Sequence, residues 1–380
     1  MIPYGRQSVS EEDIAAVVEV LRSDFLTQGP AVARFESEVA AYCKAPFAVA
    51  ANSGTSALHI ACQALGLGPG DWLWTSPNTF VASANCGRYC GASIDFVDID
   101  PRTYNMDIDL LGRKLAQAQR AGRIPKVVVP VHFGGQSCEM RELWELAGRY
   151  GFHVVEDASH ALGADYGGAK VGGCAFSHAA VLSFHPVKLI TTGEGGMVTT
   201  RDPALAESLR QLRSHGITRE RRLFRGEPGG DWYYQQLQLG FNFRMTDMQA
   251  ALGASQMRRL DAFVARRRQL VERYDERLRG LPLVPPQRSP SGNPCWHLYV
   301  VQVDDRARVF EALRASGIGV NVHYIPVHRQ PYYEALGFRR GDFPEAERYY
   351  ERAISLPLYP GLSDAQQDHV VEALRRALRA

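Results

Sequence analysis

No apolar run in the sequence approaches the ~18 residues of a membrane-spanning helix, and none of its seven cysteines forms a Cys-x-x-Cys pair. The first absence predicts no membrane partner. The second, with an odd cysteine count and no secretory leader ahead of Met1-Ile-Pro-Tyr4, predicts free thiols in a reducing, cytoplasmic compartment. Cys86 and Cys90 stand one helical turn apart, yet no His or Cys partners accompany them at zinc spacing, so packing explains them and no metal is expected. An excess of one charge is missing too. Lys+Arg number 43 against 41 Asp+Glu, a formal +2, which argues against nucleic acid or an anionic membrane as partner. The glycine-rich run Gly66-Leu-Gly-Pro-Gly70 follows a helix instead of joining a strand to one, so it is not a dinucleotide fingerprint.

What is present is a 380-residue chain with 45% hydrophobic residues, enough for one large domain and a smaller one. Short apolar runs at 47–51, 72–76, 94–99, 126–131, 152–156, 179–184 and 197–200 read as strands. Helical patterns separate most of them, including 55–65, 110–121 and 141–150, and this alternation predicts an α/β fold with a largely parallel sheet and helices on both faces. A capping pattern at Ser10–Asp13 opens a first helix to Arg22 with Ile14, Val17, Val18 and Leu21 as its apolar stripe. From Thr246 a helix of roughly thirty residues is expected, with Met248, Leu252, Met257 and Leu260 near one face. Five prolines between Pro282 and Pro294 mark a linker or arm. Beyond it, strands at 296–303 and 319–325 and helices at 309–316 and from Asp364 suggest a compact α+β unit. The division expected is 1–240 for the large domain and 241–380 for the small one.

Three stretches carry chemistry. In Ser183-Phe-His-Pro-Val-Lys188, followed by Thr191-Thr-Gly-Glu-Gly-Gly196, a lysine sits between two strands. Such a lysine is ordinarily solvated, but buried near a cationic group it becomes a nucleophilic amine able to form a Schiff base. In Phe152-His-Val-Val-Glu-Asp157-Ala-Ser-His160, a strand ends in two acids. They read equally as a helix cap or as the carboxylate that pyridoxal phosphate chemistry requires on its ring nitrogen. In Phe47-Ala-Val-Ala-Ala51-Asn-Ser-Gly54-Thr-Ser56, a strand turns into a helix. Gly54 lets backbone approach closely, and the amides of Thr55 and Ser56 face an anion at the helix start. Capping by Ser53 is the plainer alternative.

Together these stretches resemble the DegT/DnrJ/EryC1/StrS sugar aminotransferases, a branch of the fold type I pyridoxal phosphate enzymes. The similarity runs from Leu26-Thr-Gln-Gly29 through Asn52–Ala57, Glu156–His160 and Ser183–Lys188 to Gly240-Phe-Asn-Phe-Arg-Met245. It implies pyridoxal 5′-phosphate as cofactor with Lys188 as the catalytic lysine. Gly54, Thr55, Ser56, Ser183 and Asn242 would hold the phosphate, Asp157 the ring nitrogen, and His160 would lie near the 3′ oxygen. Phe80 would stack on the ring, although core packing explains an aromatic there almost as well. Tyr4, Thr27, His185, His323 and Tyr324 would contact substrate, with His328 nearby and the opening segment lying over the active site. Asn242 would reach across a homodimer, making the active sites shared. One or two of Arg213, Arg219, Arg221 and Arg222 would meet a diphosphate.

Within the family the similarity is greatest to the transaminases of pseudaminic acid synthesis. Segments such as Trp74-Thr-Ser-Pro, Thr79–Asn85, Arg213-Ser-His-Gly216 and Val322-His-Tyr324 carry it. The implied reactants are L-glutamate and a UDP-linked 4-keto sugar, UDP-2-acetamido-2,6-dideoxy-β-L-arabino-hex-4-ulose, with another UDP-, GDP- or dTDP-linked 4-keto-6-deoxy sugar as the alternative. Sugar dehydratases of the family carry histidine where this chain has Lys188. A cysteine desulfurase would need a nucleophilic cysteine on a mobile loop, which the sequence does not offer. His178 and Leu182 depart from the acid and phenylalanine of many relatives and question the packing behind Lys188.

Overall fold

The structure, a computed structural model, describes residues 1–379. Its centre is a seven-stranded sheet. In chain order the strands are β1 (Phe47–Ala51), β2 (Trp72–Thr75), β3 (Ser93–Phe96), β4 (Val127–Val129), β5 (His153–Asp157), β6 (Ala179–Ser183) and β7 (Gly196–Thr200). In space they run β1-β7-β6-β5-β4-β2-β3. β7 is antiparallel to both neighbours and every other pairing is parallel. This is the mostly parallel α/β sheet of fold type I, covered on both faces, which is why its strands read as near-continuous apolar runs.

Side-chain alternation assigns each strand residue to one face. Val49, Ala51, Val181 and Val198 enter one core with Ala57, Leu58 and Ala61 of the helix Gly54–Ala64. Ala48, Ala50, Leu182 and Met197 enter the other, with Phe35 and Val39 of the helix Pro30–Cys43 and Ala250 and Ala254 of the helix Asp247–Met257. Leu182 is thus fully buried among apolar neighbours. His178 accepts the Val154 amide on Nδ1 at 3.0 Å and packs against Trp144. Both departures from the family pattern are accommodated behind the sheet.

The C-terminal part centres on an antiparallel sheet in which Tyr299–Val303 lies between Leu283–Val284 and Ala353–Leu356. Helices Leu260–Arg277, Arg306–Ala315 and Asp364–Arg379 enclose a core that includes Leu270, Tyr274, Val301, Val309 and Leu374. The proline-rich arm is tied down at both ends of its length: Leu283–Val284 joins this sheet, and Gly292–Asn293 pairs with Asp165–Tyr166 beside the large sheet.

Three expectations are corrected. The helix expected from Thr246 is two helices, Asp247–Met257 and Leu260–Arg277. Its buried face is Ala250, Ala251, Gly253 and Ala254, while Met248, Leu252 and Met257 are only half-buried. Arg259, at the break, pairs with the buried Asp13 carboxylate, which also receives the Gln256 amide at 2.6 Å. The first helix, Glu11–Leu21, therefore docks chiefly through an acid, with only Val17 and Val18 of its apolar stripe half-buried. Ile14 and Leu21 face outward, 48% and 55% exposed. Residues 319–325 form no strand: Ile318 bridges Ile2, and Asn321 bridges Ser355, each in isolation. All seven cysteines are unpaired. Among the described residues no helix is long and apolar enough to cross a membrane.

Candidate active site

The carboxyl ends of β1, β5 and β6 meet at one edge of the sheet, where ligands of open α/β sheets bind. There they border a cavity of about 540 Å³, within the range of small-molecule sites. Lys188, Asp157, Gly54 and Thr55 all line it.

Beyond Ser183 the chain folds back on itself. The Phe184 carbonyl accepts from the Thr192 amide and the Thr191 hydroxyl, both at 3.0 Å, and the Phe184 amide donates to Gly195 at 2.9 Å. Buried Leu189 and Ile190 anchor this hairpin below, so Lys188 is held on a short connection. Burial pushes its amine down to about 8, opposed by the attraction of Asp157.

Strand alternation sends Asp157 and Glu156 to opposite sides. Glu156 turns away, 2.8 Å from His132 Nε2 and 2.5 Å from the Ser177 hydroxyl. Asp157 faces the cavity, its Oδ2 accepting from the Ser83 hydroxyl at 2.6 Å and its Oδ1 from the Ser159 amide at 3.1 Å.

At the end of β1, Ser53 caps the helix Gly54–Ala64. Its hydroxyl accepts the Ser56 amide at 3.1 Å and lies 2.9 Å from the Ser56 hydroxyl. Ser56 has both its amide and its hydroxyl engaged by the cap, and it lies outside the cavity lining. The Gly54 and Thr55 amides, in the first helical turn, have no intrahelical acceptor, and they face the same cavity as Ser183. Gly196 is the register partner of both Ala51 and Ser183 and packs directly on the Ser53 carbonyl, so any side chain there would overlap that backbone.

The far wall comes from the C-terminal part and the first residues. Tyr324 Oη lies 3.1 Å from His160 Nε2, and the Gly134 amide donates to His160 Nδ1 at 3.3 Å. Burial, with Lys188 next in effect, holds His160 well below the usual histidine range. His323 bonds Ser355 Oγ at 2.7 Å, and burial pushes it down to about 3. Tyr4 packs against the His323 ring. Phe80 lines the cavity and is 59% exposed, its ring 6.3 Å from Tyr324, so it is not a core residue. His185 also lines the cavity.

Other expected residues lie elsewhere. Thr27 is exposed, bridges Thr246, and sits where the Asp247 carboxylate holds the Gly29 and Ala31 amides at 2.8 Å, outside the cavity of its own chain. Asn242 is exposed too, bridging Ser214. Arg213 pairs with Glu36 and donates to the Ala50 carbonyl at 2.9 Å, so it serves the fold. Arg221 meets Asp231 and Arg222 meets Glu207, and neither, nor Arg219, lines the cavity. His328 is buried against Glu347 at 2.8 Å. Sequence reasoning missed His297, which lines the cavity with its ring 4.4 Å from that of His160, and whose Nδ1 is buried without a partner. A histidine inside an otherwise apolar run was the available signal.

These residues suit pyridoxal phosphate. An amine of lowered basicity, a carboxylate able to hold a protonated ring nitrogen, and a helix start able to take a dianion share one cavity of adequate size.

A model of the DegT/DnrJ/EryC1/StrS aminotransferase family matches residues 7–375. The spore coat polysaccharide biosynthesis protein SpsC of Bacillus subtilis is 42% identical over 383 residues, covering 98% of this chain and 96% of that protein. Among solved structures, the putative sugar aminotransferase Spr1654 of Streptococcus pneumoniae, in its PMP form, superposes with a TM-score of 0.91 at 29% identity over 100% of this chain and 99% of that one. Helicobacter pylori PseC, an aminotransferase involved in the biosynthesis of pseudoaminic acid, gives the same TM-score, 0.91, at 29% identity, covering 100% and 99% of the two chains.

Proposed function

The chain belongs to the DegT/DnrJ/EryC1/StrS aminotransferase family and is a pyridoxal 5′-phosphate-dependent sugar aminotransferase acting on a nucleotide sugar and an amino donor; from that premise, we propose that it moves the amino group of L-glutamate to C4 of UDP-2-acetamido-2,6-dideoxy-β-L-arabino-hex-4-ulose. The product would be UDP-4-amino-4,6-dideoxy-N-acetyl-β-L-altrosamine. The observation that carries the reaction is the opening of Lys188 and Asp157 into one cavity.

Bound pyridoxal phosphate supplies the carbonyl that carries nitrogen from donor to acceptor and the ring that accepts electron density. The protein does the rest. Asp157 holds the ring-nitrogen proton, and the Gly54 and Thr55 amides with Ser183 hold the phosphate. Lys188 Nζ takes the proton from Cα of the donor and, in the second half-reaction, delivers one to C4 of the sugar. Phe80 covers a ring face, His160 orients the 3′ oxygen side, and Tyr4, His185, His323 and Tyr324 form the sugar wall.

In the same reading two copies of the chain share their sites, each lending Asn242 to the other's phosphate and Thr27 to the other's substrate, with residues 1–240 as the cofactor domain and 241–380 as the smaller one. Exposed apolar side chains on the segments around Asn242 support this: Phe25 and Leu26 are 54% and 46% exposed, Trp232 and Leu239 78% and 76%.

The similarity to PseC supports the L-arabino substrate. The higher identity to SpsC, 42%, favours a second reading, another 4-keto-6-deoxy sugar nucleotide, since a single methyl on a base is worth only about 1–3 kcal/mol of discrimination. The test is a panel of UDP-, GDP- and dTDP-4-keto-6-deoxy sugars with glutamate, product configuration being read by NMR. Preference for the L-arabino UDP sugar supports the first reading; preference for a dTDP sugar, or an amine of D configuration, overturns it.

A further inference from the structure

Beside Asp157 lies a pair of hydroxyls, Thr79, which lines the cavity, and Ser83, which does not. Ser83, in the helix Ala82–Tyr89, is fully buried and does not line the cavity. Its Oγ is 2.6 Å from Asp157 Oδ2 and 2.7 Å from Thr79 Oγ1. An ionised carboxylate only accepts, and at 2.6 Å it outcompetes the Phe80 carbonyl at 3.4 Å, so the single Ser83 proton points at Asp157. Thr79, 2% exposed, must then donate its own proton to Ser83. The result is a one-way series, Thr79 to Ser83 to Asp157, ending in a short charge-assisted hydrogen bond. The backbone locks the receiving end: the Asp157 amide donates to Pro130 at 2.9 Å and its carbonyl accepts from His132 at 3.1 Å.

We propose that Ser83, backed by Thr79, is a positioning residue for the aminotransferase reaction: it fixes the plane of the Asp157 carboxylate and donates a hydrogen bond to Oδ2, so that the shared proton stays on the cofactor's ring nitrogen. This rests on Asp157 facing that nitrogen. A donor to Oδ2 and another to Oδ1, from the Ser159 amide, leave each oxygen one outward lone pair for the ring. Without Ser83 the carboxylate loses that donor and draws the shared proton toward itself, and the ring loses positive charge.

The readout is the visible absorption of the bound cofactor, whose titration midpoint reports the proton on the nitrogen linking it to Lys188. A less positive ring holds that proton more tightly, so the midpoint moves up. The charged and titratable groups facing Asp157 are Lys188 from the β6–β7 connection, Tyr324 from the C-terminal part and His160 from its own turn. All are present in every variant below.

Holoenzyme is titrated for wild type, Ser83→Ala, Ser83→Thr, Thr79→Val and Asp157→Asn, with thermal unfolding as the check on folding. Ser83→Ala is expected to raise the midpoint by about half a unit to one unit, the scale of one charge-assisted hydrogen bond. Thr79→Val should move it the same way by less, and Ser83→Thr should restore it. A shift in Asp157→Asn with none in Ser83→Ala or Thr79→Val overturns the proposal and leaves the reading of Asp157 standing. No shift in Asp157→Asn overturns both. If Ser83→Ala does not fold, Thr79→Val decides when read against Thr79→Ser, which keeps the hydroxyl on Ser83 and should leave the midpoint in place.

Discussion

Gly54 packs so tightly against Ser183 that a β-carbon on Gly54 would lie 3.0 Å from Ser183 Cβ and 3.2 Å from its hydroxyl. The phosphate turn and the strand leading to Lys188 are thus in direct contact, and the space between them is set by the lack of one methyl. Gly54→Ala should therefore weaken cofactor binding by about tenfold, equivalent to ~1.4 kcal/mol. It should change apo-protein stability by less than about 1 kcal/mol, since the helix gains what the contact loses. Equilibrium dialysis against pyridoxal phosphate and urea unfolding measure the two, and unchanged cofactor affinity would contradict the packing argument.

Cofactor capture by the apo-protein should depend on pH through Lys188. Only the neutral amine attacks a carbonyl, and burial lowers this group from 10.5 to about 8. Roughly a quarter of it is then neutral at pH 7.5, against roughly one part in a thousand for an ordinary lysine. The rate of appearance of the visible band should rise with pH and level off above about 8. A rate still climbing steeply past pH 9 would mean an unshifted lysine, and a band that survives Lys188→Ala would remove the residue from its role.

Tyr324 has its hydroxyl direction set by His160. Because Gly134 donates to Nδ1, the neutral imidazole carries its proton on Nε2 and gives it to the tyrosine oxygen, leaving the phenolic proton for the cavity. Tyr324→Phe should lower kcat/KM for the sugar about five- to tenfold, the value of roughly one hydrogen bond. Since His160 is held well below its usual range, it stays neutral at and above pH 6, and the loss should be constant from pH 6 to 8. A loss confined to the acid side would assign the effect to histidine protonation instead.

Asn242 lies outside the cavity of its own chain. Mixing inactive Lys188→Ala with inactive Asn242→Asp protein should regenerate about a quarter of wild-type sites if subunits exchange at random and Asn242 serves the other subunit. No recovery, with exchange verified by mass spectrometry, would place Asn242 in the service of its own chain.

The parts of the site that local pattern could reveal were those at strand ends. Lys188, Asp157 and Gly54 each follow an apolar run, and the period-2 rule decides that Asp157 and not Glu156 faces the cavity. What local pattern could not reveal depends on distant partners. At Ser56 the sequence left an amide open to an anion and capping by Ser53 side by side, and the Ser53 rotamer, which sequence does not show, realises the cap. The break between Met257 and Leu260 is occupied by a pair between Asp13 and Arg259, from opposite ends of the fold. Residues 319–325 have strand-like composition, yet their pairing with the edge strand Ala353–Leu356 is confined to the isolated bridge between Asn321 and Ser355. Ser83 carries no motif that a reader would associate with an acid so far along the chain.

The antiparallel strand β7 has one more consequence, for the order of events during synthesis. The backbones of Ala51 and Ser183 are paired only through Gly196 between them, so the sheet under the phosphate turn, made early, is completed only when the chain has passed the lysine and returned. This is a pairing of high sequence separation, slow to close by nature. A nascent chain halted before Gly196 has both halves of the cofactor cradle but lacks the strand that pairs with each, leaving only packing such as that of Gly54 on Ser183 to bring them together.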